Sequence, residues 1–161
     1  MKRFLLLALL LASTLPIAAQ QLRLEERVPK IRKSAFHWFG DRRPQRAKLM
    51  VVEFFDAAHT PIDSELAHLD ELTYGQASER IQWVVITRQE PERISERLAY
   101  YLKRNPNLAV LCRGDELFRS CDVEYLPFCL VFDRHRRTVW MGNALDLSSG
   151  FLTERINEVK R

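Results

Sequence analysis

The 161-residue sequence contains few of the signatures by which enzymes are usually recognised. It has no serine or cysteine hydrolase motif, no glycine-rich phosphate loop and no paired catalytic carboxylates. The histidines, His37, His59, His68 and His135, do not have the spacing of metal ligands. These absences argue against hydrolase, nucleotide-binding and metal-dependent activities, and we expect no metal and no other cofactor.

A strong excess of one charge is also absent. The chain has 25 basic and 21 acidic residues and a formal net charge of +4. Its local basic spots, Arg42-Arg43 and Arg134-His135-Arg136-Arg137, are not interleaved with aromatic residues. We interpret them as solvated turns and predict no nucleic-acid partner.

One long apolar run lies at the amino terminus. A basic Met-Lys-Arg start, an apolar stretch over 4–12 and small residues up to Ala19 predict a secretory signal peptide over 1–19. The run is too short to span a membrane, and Pro16 interrupts its end. We therefore predict a periplasmic or secreted protein with no stable membrane insertion after cleavage, a leader over 20–34 and a single domain over 35–161.

Cysteines are few, and their number is odd. Cys112, Cys121 and Cys129 allow one internal bridge at most, so at least one thiol is left over. Cys112 and Cys121 could form a structural bridge, stay unbridged or act as a displaced redox pair. Cys129 lies within an apolar run, and we interpret it as a small buried hydrophobic residue rather than a nucleophile.

The hydrophobic pattern predicts an α/β domain. Predicted strands cover 35–39, 49–55, 81–87, 108–112, 128–133 and 138–141, and predicted helices cover 61–74, 90–105, 115–121 and 151–159. Strands that alternate with helices favour a sheet with parallel pairs, covered by helices on both faces. The last two strands are close enough in sequence to form an antiparallel hairpin.

Two segments carry a family resemblance. Val51-Val-Glu-Phe-Phe-Asp-Ala-Ala-His-Thr-Pro-Ile-Asp-Ser-Glu-Leu66 resembles the active-site segment of the thioredoxin superfamily, especially its periplasmic TlpA/ResA-like branch. There, a strand leads into Trp-Cys-x-x-Cys and a helix that carries Glu-Leu. Val123-Glu-Tyr-Leu-Pro-Phe-Cys-Leu-Val-Phe-Asp133 is similar to the family segment that contains a cis proline. The resemblance implies a thioredoxin-like fold, with a central mixed sheet flanked by helices and a cis peptide bond at Pro127.

The sequence departs from the family where the chemistry is done. His59-Thr60-Pro61-Ile62 replaces Cys-x-x-Cys, so an imidazole and a branched alkyl group stand in place of the two thiols. Neither group can form a mixed disulfide, so the ordinary dithiol mechanism cannot run through this loop. Phe128 replaces the usual threonine after the cis proline, and we expect it to make the substrate-contacting surface more apolar.

Glu53 matches the buried acid that thioredoxins keep beneath their cysteines. If Glu53 is buried here without a compensating partner, its pKa should rise. A Glu53–His59 pair could be a relic, a structural polar contact or a weak acid–base site.

These observations predict an exported thioredoxin-fold protein with a degenerate, redox-inactive site. We expect it to bind a protein or peptide partner in the cell envelope through a groove formed by His59, Thr60, Pro61, Leu126, Pro127 and Phe128. The alternative is a TlpA/ResA-type thiol–disulfide oxidoreductase that works through Cys112 and Cys121. A third hypothesis is a purely structural role in a cell-envelope complex.

Overall fold

The computed structural model describes residues 27, 37–40, 42–56, 62–73, 80–94 and 96–158, without the side chains of Ile62 and Arg97. The predicted signal peptide and, apart from Arg27, the predicted leader lie outside these residues and remain predictions. The strands are β1 (His37–Trp38), β2 (Leu49–Phe55), β3 (Ile81–Thr87), β4 (Leu108–Cys112), β5 (Phe128–Asp133) and β6 (Thr138–Asn143). The helices are α1 (Ile62–Thr73), α2 (Glu96–Arg104), α3 (Asp115–Ser120) and α4 (Ser149–Glu158), with 3-10 turns at Pro91–Arg93 and Ala144–Asp146.

The described strands form one mixed sheet in the order β1-β4-β3-β2-β5-β6. β2, β3 and β4 are parallel, whereas β5 is antiparallel to β2 and forms a hairpin with β6. The predicted mixed sheet and its final hairpin are confirmed. Because the parallel strands share one direction, their carboxyl ends meet at one edge, which we call the carboxyl end of the sheet. The opposite edge is the amino end.

Side chains alternate between the two faces of the sheet and fill two separate cores. The first-face core packs β-strand residues such as Val51, Val85 and Val110 against α1, α2 and α4. The second-face core packs Val52 and Val84 against α3 and the residues that follow it. This division decides which functional groups can meet, because groups in different cores are separated by the sheet.

The apolar stripe of α1 is confirmed at Leu66, Leu69 and Leu72, which are all buried. Helical periodicity puts Glu65 mostly off this stripe, but Glu65 is buried as well. Glu65 directly precedes Leu66 in the first turns of α1, and these turns lie against the sheet. The buried face of α1 is therefore wider at the start of the helix than periodicity alone predicts.

The second helix begins later than its pattern predicts. Pro91 opens a 3-10 turn rather than the α-helix, and Ile94 has an extended backbone with ψ of 124°. The α-helical hydrogen bonding of α2 starts only at Glu96. Ile94 still packs against the first-face core, and for this reason its spacing from Leu98 resembled a continuous helical stripe.

Candidate functional site

The connection from β2 to α1 is the place where the family resemblance puts the active site. β2 ends at Phe55 and α1 begins at Ile62, at the carboxyl end of the sheet. His59, Thr60, Pro61 and the side chain of Ile62 lie outside the described part of the chain, so their predicted roles remain predictions. The described surroundings are the buried acids below this connection, the segment around Pro127 and the three cysteines.

Glu53 lies in the middle of β2, with Val85 and Cys129 as its neighbours on the flanking strands. It is 6% exposed and shares the first face with Val51 and Phe55. Burial, with a smaller contribution from the nearby Glu65 carboxyl, raises the pKa of the Glu53 carboxyl to about 8. The expected rise in pKa is confirmed. Glu53 therefore carries a proton at neutral pH.

Glu65 is a site residue that the sequence reasoning did not single out. It is buried in the first turns of α1, close enough to Glu53 for their charges to interact. Two carboxyl groups thus share the protein interior beneath the β2–α1 connection. The signal that could have identified Glu65 was the Glu-Leu pair in the family segment. A protonated carboxyl in such a place can hold or donate a proton, as raised-pKa acids do in many sites.

The segment around Pro127 approaches the same end of the sheet from β5. The Leu126–Pro127 peptide bond is cis, at the position for which the resemblance implied a cis proline. The carbonyl of Pro127 accepts a hydrogen bond from the backbone N–H of Ala144 at 3.3 Å, which ties the segment to the chain after β6. The backbone at Pro127 is therefore held by β5, which follows it directly, and by the hydrogen bond from the chain after β6.

Phe128 is placed differently from the expectation that it lines an apolar groove. Its ring is only 4% exposed and packs in the second-face core near Phe54, with ring centroids 6.0 Å apart. Tyr125 instead is 50% exposed and meets Phe128 edge to face, at 5.3 Å between ring centroids and 82° between planes. Phe128 faces inward because side chains alternate along β5. The aromatic ring available to a ligand is that of Tyr125, supported from below by Phe128.

The three cysteines are all free and buried. Cys112 ends β4 and Cys129 lies in β5, and both belong to the first-face core. Cys121 caps the carboxyl terminus of α3 and belongs to the second-face core. Burial raises the pKa of Cys112 and of Cys121 to about 11, and it raises the pKa of Cys129 well above the ordinary thiol value. Such thiols remain protonated and are weak nucleophiles.

Solved structures of several proteins superpose on this chain. A thioredoxin-like protein in its oxidized form, solved in solution, gives a TM-score of 0.66 at 14% identity and covers 85% of this chain and 99% of its own. A putative protein disulfide isomerase from Bacteroides thetaiotaomicron gives 0.59 at 13% identity, covering 86% and 89% of the two chains. StoA from Bacillus subtilis gives 0.50 at 12% identity, covering 70% and 84%. The chain has a thioredoxin-like fold.

The fold predicted from the family resemblance is thus confirmed, and it is of the type that thiol–disulfide oxidoreductases use. No protein-family model and no curated sequence matches the chain. In this thioredoxin-like fold, the described surroundings of the β2–α1 connection offer a buried protonated acid and an exposed tyrosine. The sequence's three thiols lie elsewhere, in the two cores.

A cavity of about 490 Å³ adjoins the first turns of α1. Among the described residues, its lining consists of Asp63, Leu66, Glu96, Tyr100 and Tyr101. The two tyrosine rings meet edge to face at 5.5 Å, and Tyr100 is 54% exposed. Aromatic rings and carboxylates in one cavity suit the apolar stem and the charged end of a basic side chain.

Two further absences concern the described residues. These residues contain no group of three histidine, cysteine or acidic side chains placed to hold a metal ion. Within these ranges, no helix combines the length and the apolar composition needed to cross a bilayer.

Proposed function

We propose that this protein is an exported, TlpA/ResA-like thioredoxin-fold protein that binds protein or peptide partners in the cell envelope and does not exchange disulfides. One observation carries the proposal. None of the three cysteines of the sequence stands at the start of α1, and all three are buried as free thiols. The fold is retained while the groups that perform its usual chemistry are missing from the place where that chemistry occurs.

Thiol–disulfide exchange requires a thiolate that can reach a disulfide. With a pKa of about 11, Cys112 or Cys121 is a thiolate in about one molecule in ten thousand at pH 7. The two side chains also lie in cores on opposite faces of the sheet. This arrangement disfavours the alternative function, a redox pair formed by Cys112 and Cys121.

A binding role is supported by the surface beside the β2–α1 connection. Tyr125 exposes half of its surface, and Leu126 is half-buried next to the cis Leu126–Pro127 bond. An extended peptide could lie along this backbone, with His59, Thr60 and Pro61 as the proposed opposite wall. Tyrosine suits such a surface, since its rigid ring buries a large area at a small entropic cost.

Export is proposed from the amino-terminal sequence, whose basic start, short apolar run and small residues match a secretory signal peptide. The full chain should be expressed in a bacterium and recovered from the periplasmic fraction. Mass spectrometry of the intact protein should then give a mature chain that begins near Gln20. Recovery of the uncleaved chain in the cytoplasm would contradict this part of the proposal.

The redox part can be tested by counting thiols. The purified protein is equilibrated in glutathione buffers of about −320 to −180 mV, quenched with acid, denatured and alkylated. We expect three alkylated cysteines at every potential. A bridge between Cys112 and Cys121 that opens and closes within this range would support the oxidoreductase hypothesis instead.

The binding part needs a ligand screen with a matched variant. Wild type and Tyr125→Ala are panned against the same library of extended peptides, and the peptides that wild type enriches are synthesised and titrated. Loss of the exposed ring should weaken the selected peptides by roughly tenfold or more, while Tyr125→Phe should retain most of the affinity. Equal binding by wild type and Tyr125→Ala would exclude this surface as the binding site.

A further inference from the structure

A second cavity lies at the amino end of the sheet, far from the β2–α1 connection. Its volume is about 330 Å³, and it is lined by Leu49, Asp133, Arg134, His135, Arg137, Val139, Arg155 and Glu158. Leu49 opens β2 and pairs in register with Asp133, which closes β5. The β5–β6 turn and α4 therefore meet at one edge, and the topology concentrates their charged side chains there.

The cations of this cavity exceed the acids that neutralise them. Arg137 contacts Asp133 at 2.9 Å and Arg155 contacts Glu158 at 2.7 Å, so both acids of the lining are already used. Arg134 is exposed, and among the described residues it donates only to a ring nitrogen of the adjacent His135, at 3.1 Å. The Nε of Arg155 is buried and has no hydrogen-bond partner among the described residues. The cavity thus keeps unused cationic donors.

Further basic residues lie at the same amino end of the sheet, where Lys48 precedes β2 and Arg80 precedes β3. Arg136 lies in the same turn, Arg27 forms a bridge with Arg137, and the backbone N–H of Lys48 donates to the carbonyl of Arg80 at 3.0 Å. We define the basic end as the set of these residues and the cavity arginines: Arg27, Lys48, Arg80, Arg134, Arg136, Arg137 and Arg155. The residues come from β-strand ends, a turn and a helix, so they form a broad surface rather than one deep pocket.

We propose that the basic end docks this protein on the anionic phospholipid headgroups of a membrane surface. Guanidinium groups match the oxygen geometry of phosphate, and several cations on one face match a surface that carries many negative charges. Clusters of four to eight basic residues bind anionic lipid surfaces through such additive attraction. These cations come from a turn, from strand ends and from a helix, so they suit an extended anionic surface better than a single small anion. This proposal rests on the proposed export, which would bring the protein next to the membranes of the cell envelope.

Docking through the basic end would orient the molecule. β2 runs from Leu49 at the basic end to Phe55 next to the candidate site, and this length of strand separates the two residues by about 20 Å. The β2–α1 connection and Tyr125 would then face away from the bilayer. A partner could reach the candidate site while the protein remains on the membrane.

Vesicle sedimentation tests the proposal with protein purified from the periplasmic fraction. Vesicles of phosphatidylglycerol and phosphatidylcholine in equal parts are compared with vesicles of phosphatidylcholine alone, at low and at physiological salt. We expect binding to the anionic vesicles that weakens with salt, and much weaker binding to the neutral ones. Equal binding to both lipids would overturn the proposal, since it would show attachment through apolar residues.

Two matched variants locate the surface. Arg134→Gln/Arg136→Gln removes two charges of the basic end, whereas Arg93→Gln/Arg119→Gln removes two exposed charges from elements that follow the carboxyl ends of β3 and β4. Each basic residue near an anionic surface contributes roughly fivefold to the affinity. The first variant should therefore lose about 25-fold at low salt, and the control should lose much less. An equal loss in both variants would overturn the assignment to the basic end.

Soluble phosphate separates a membrane surface from a compact anion site. Inorganic phosphate is added at constant ionic strength, with chloride as the balancing anion. Vesicle binding should depend on ionic strength alone. Displacement by millimolar phosphate at constant ionic strength would mean that the cavity takes a free phosphate, and the docking proposal would be wrong. Neither result bears on the thiol count or the Tyr125 variants, so this proposal and the proposed function can fail separately.

Discussion

Two buried acids on neighbouring strands of this protein have opposite pKa shifts. Glu53 near the carboxyl end of the sheet is 6% exposed, and Asp133 at the amino end is 8% exposed. Burial, with a smaller contribution from Glu65, raises the pKa of Glu53 to about 8. Burial also acts to raise the pKa of Asp133, but hydrogen bonds from Arg137 and from the backbone of His135 outweigh it, and the pKa is lowered.

Hydrogen-bond donors thus reverse the effect of burial at Asp133, whereas burial determines the shift at Glu53. The Asp133 carboxylate accepts the backbone N–H groups of His135 and Arg137 at 2.8 and 3.0 Å, and the Arg137 guanidinium at 3.0 Å. Glu53 instead lies near a second carboxyl group, that of Glu65. An uncharged acid, Glu53, and uncharged thiols are thus buried beneath the candidate site, whereas the Asp133 carboxylate at the amino end stays ionised. The uncharged surroundings of the candidate site suit recognition by shape, whereas the charged amino end of the sheet suits electrostatic docking.

Glu53→Gln should give the largest effect. Because the pKa of Glu53 is about 8 in the folded protein and 4.5 in its unperturbed state, its contribution to stability is fully present below pH 4.5. That contribution is lost as the pH rises towards 8. Relative to wild type, the variant should gain roughly 2–4 kcal/mol of unfolding free energy between pH 5 and pH 8.5. Urea unfolding of both proteins at several pH values measures the difference.

The exposed residue Glu116 on α3 provides the control. Glu116→Gln should follow the wild-type pH dependence across the same range. If Glu53→Gln also follows the wild-type curve, Glu53 is ionised in the folded protein and the contrast with Asp133 disappears.

Asp133→Asn should produce a smaller effect of opposite sign. The lowered pKa of Asp133 means that the carboxylate stabilises the fold above its unperturbed value of 3.8. This stabilisation is lost as the pH falls through the lower, folded-state pKa. The variant should therefore lose about 1–2 kcal/mol at pH 7, because an amide oxygen accepts weaker hydrogen bonds than a carboxylate. The deficit relative to wild type should shrink below pH 4, and a deficit that is constant down to pH 2 would contradict this assignment.

Glu65→Gln tests the second cause of the Glu53 shift. Removing the Glu65 charge should lower the pKa of Glu53, so the loss of stability attributed to Glu53 should be complete at a lower pH. Burial is the larger cause and remains, and for this reason we expect a change of only about 1 kcal/mol at pH 8. The pH dependence of Glu65→Gln, compared with that of Glu53→Gln, measures it. An unchanged profile would leave burial as the single cause.

The fold was largely predictable because β2, β3, β4 and β5 are mainly apolar runs whose side chains are nearly all buried. Positions that depend on tertiary contacts were not predictable from the sequence. The burial of Glu65 depends on how closely α1 approaches the sheet, and helical periodicity does not contain that distance. The inward direction of Phe128 needed the register of β5, and the late start of α2 depends on the extended backbone at Ile94.

Two double-mutant cycles give the smallest expected effects and compare ion pairs at the two ends of the sheet. Asp133 and Arg137 combine a buried carboxylate with an exposed guanidinium, whereas Arg88 and Asp115 are both more than half exposed and 3.7 Å apart. Solvent screens the second pair from both sides, so its coupling energy should be below about 0.5 kcal/mol. The first pair should couple by about 1 kcal/mol, since one partner is shielded from water. Equal coupling in the two cycles would mean that the backbone donors alone keep Asp133 ionised, and that the Arg137 guanidinium is free to bind an external anion.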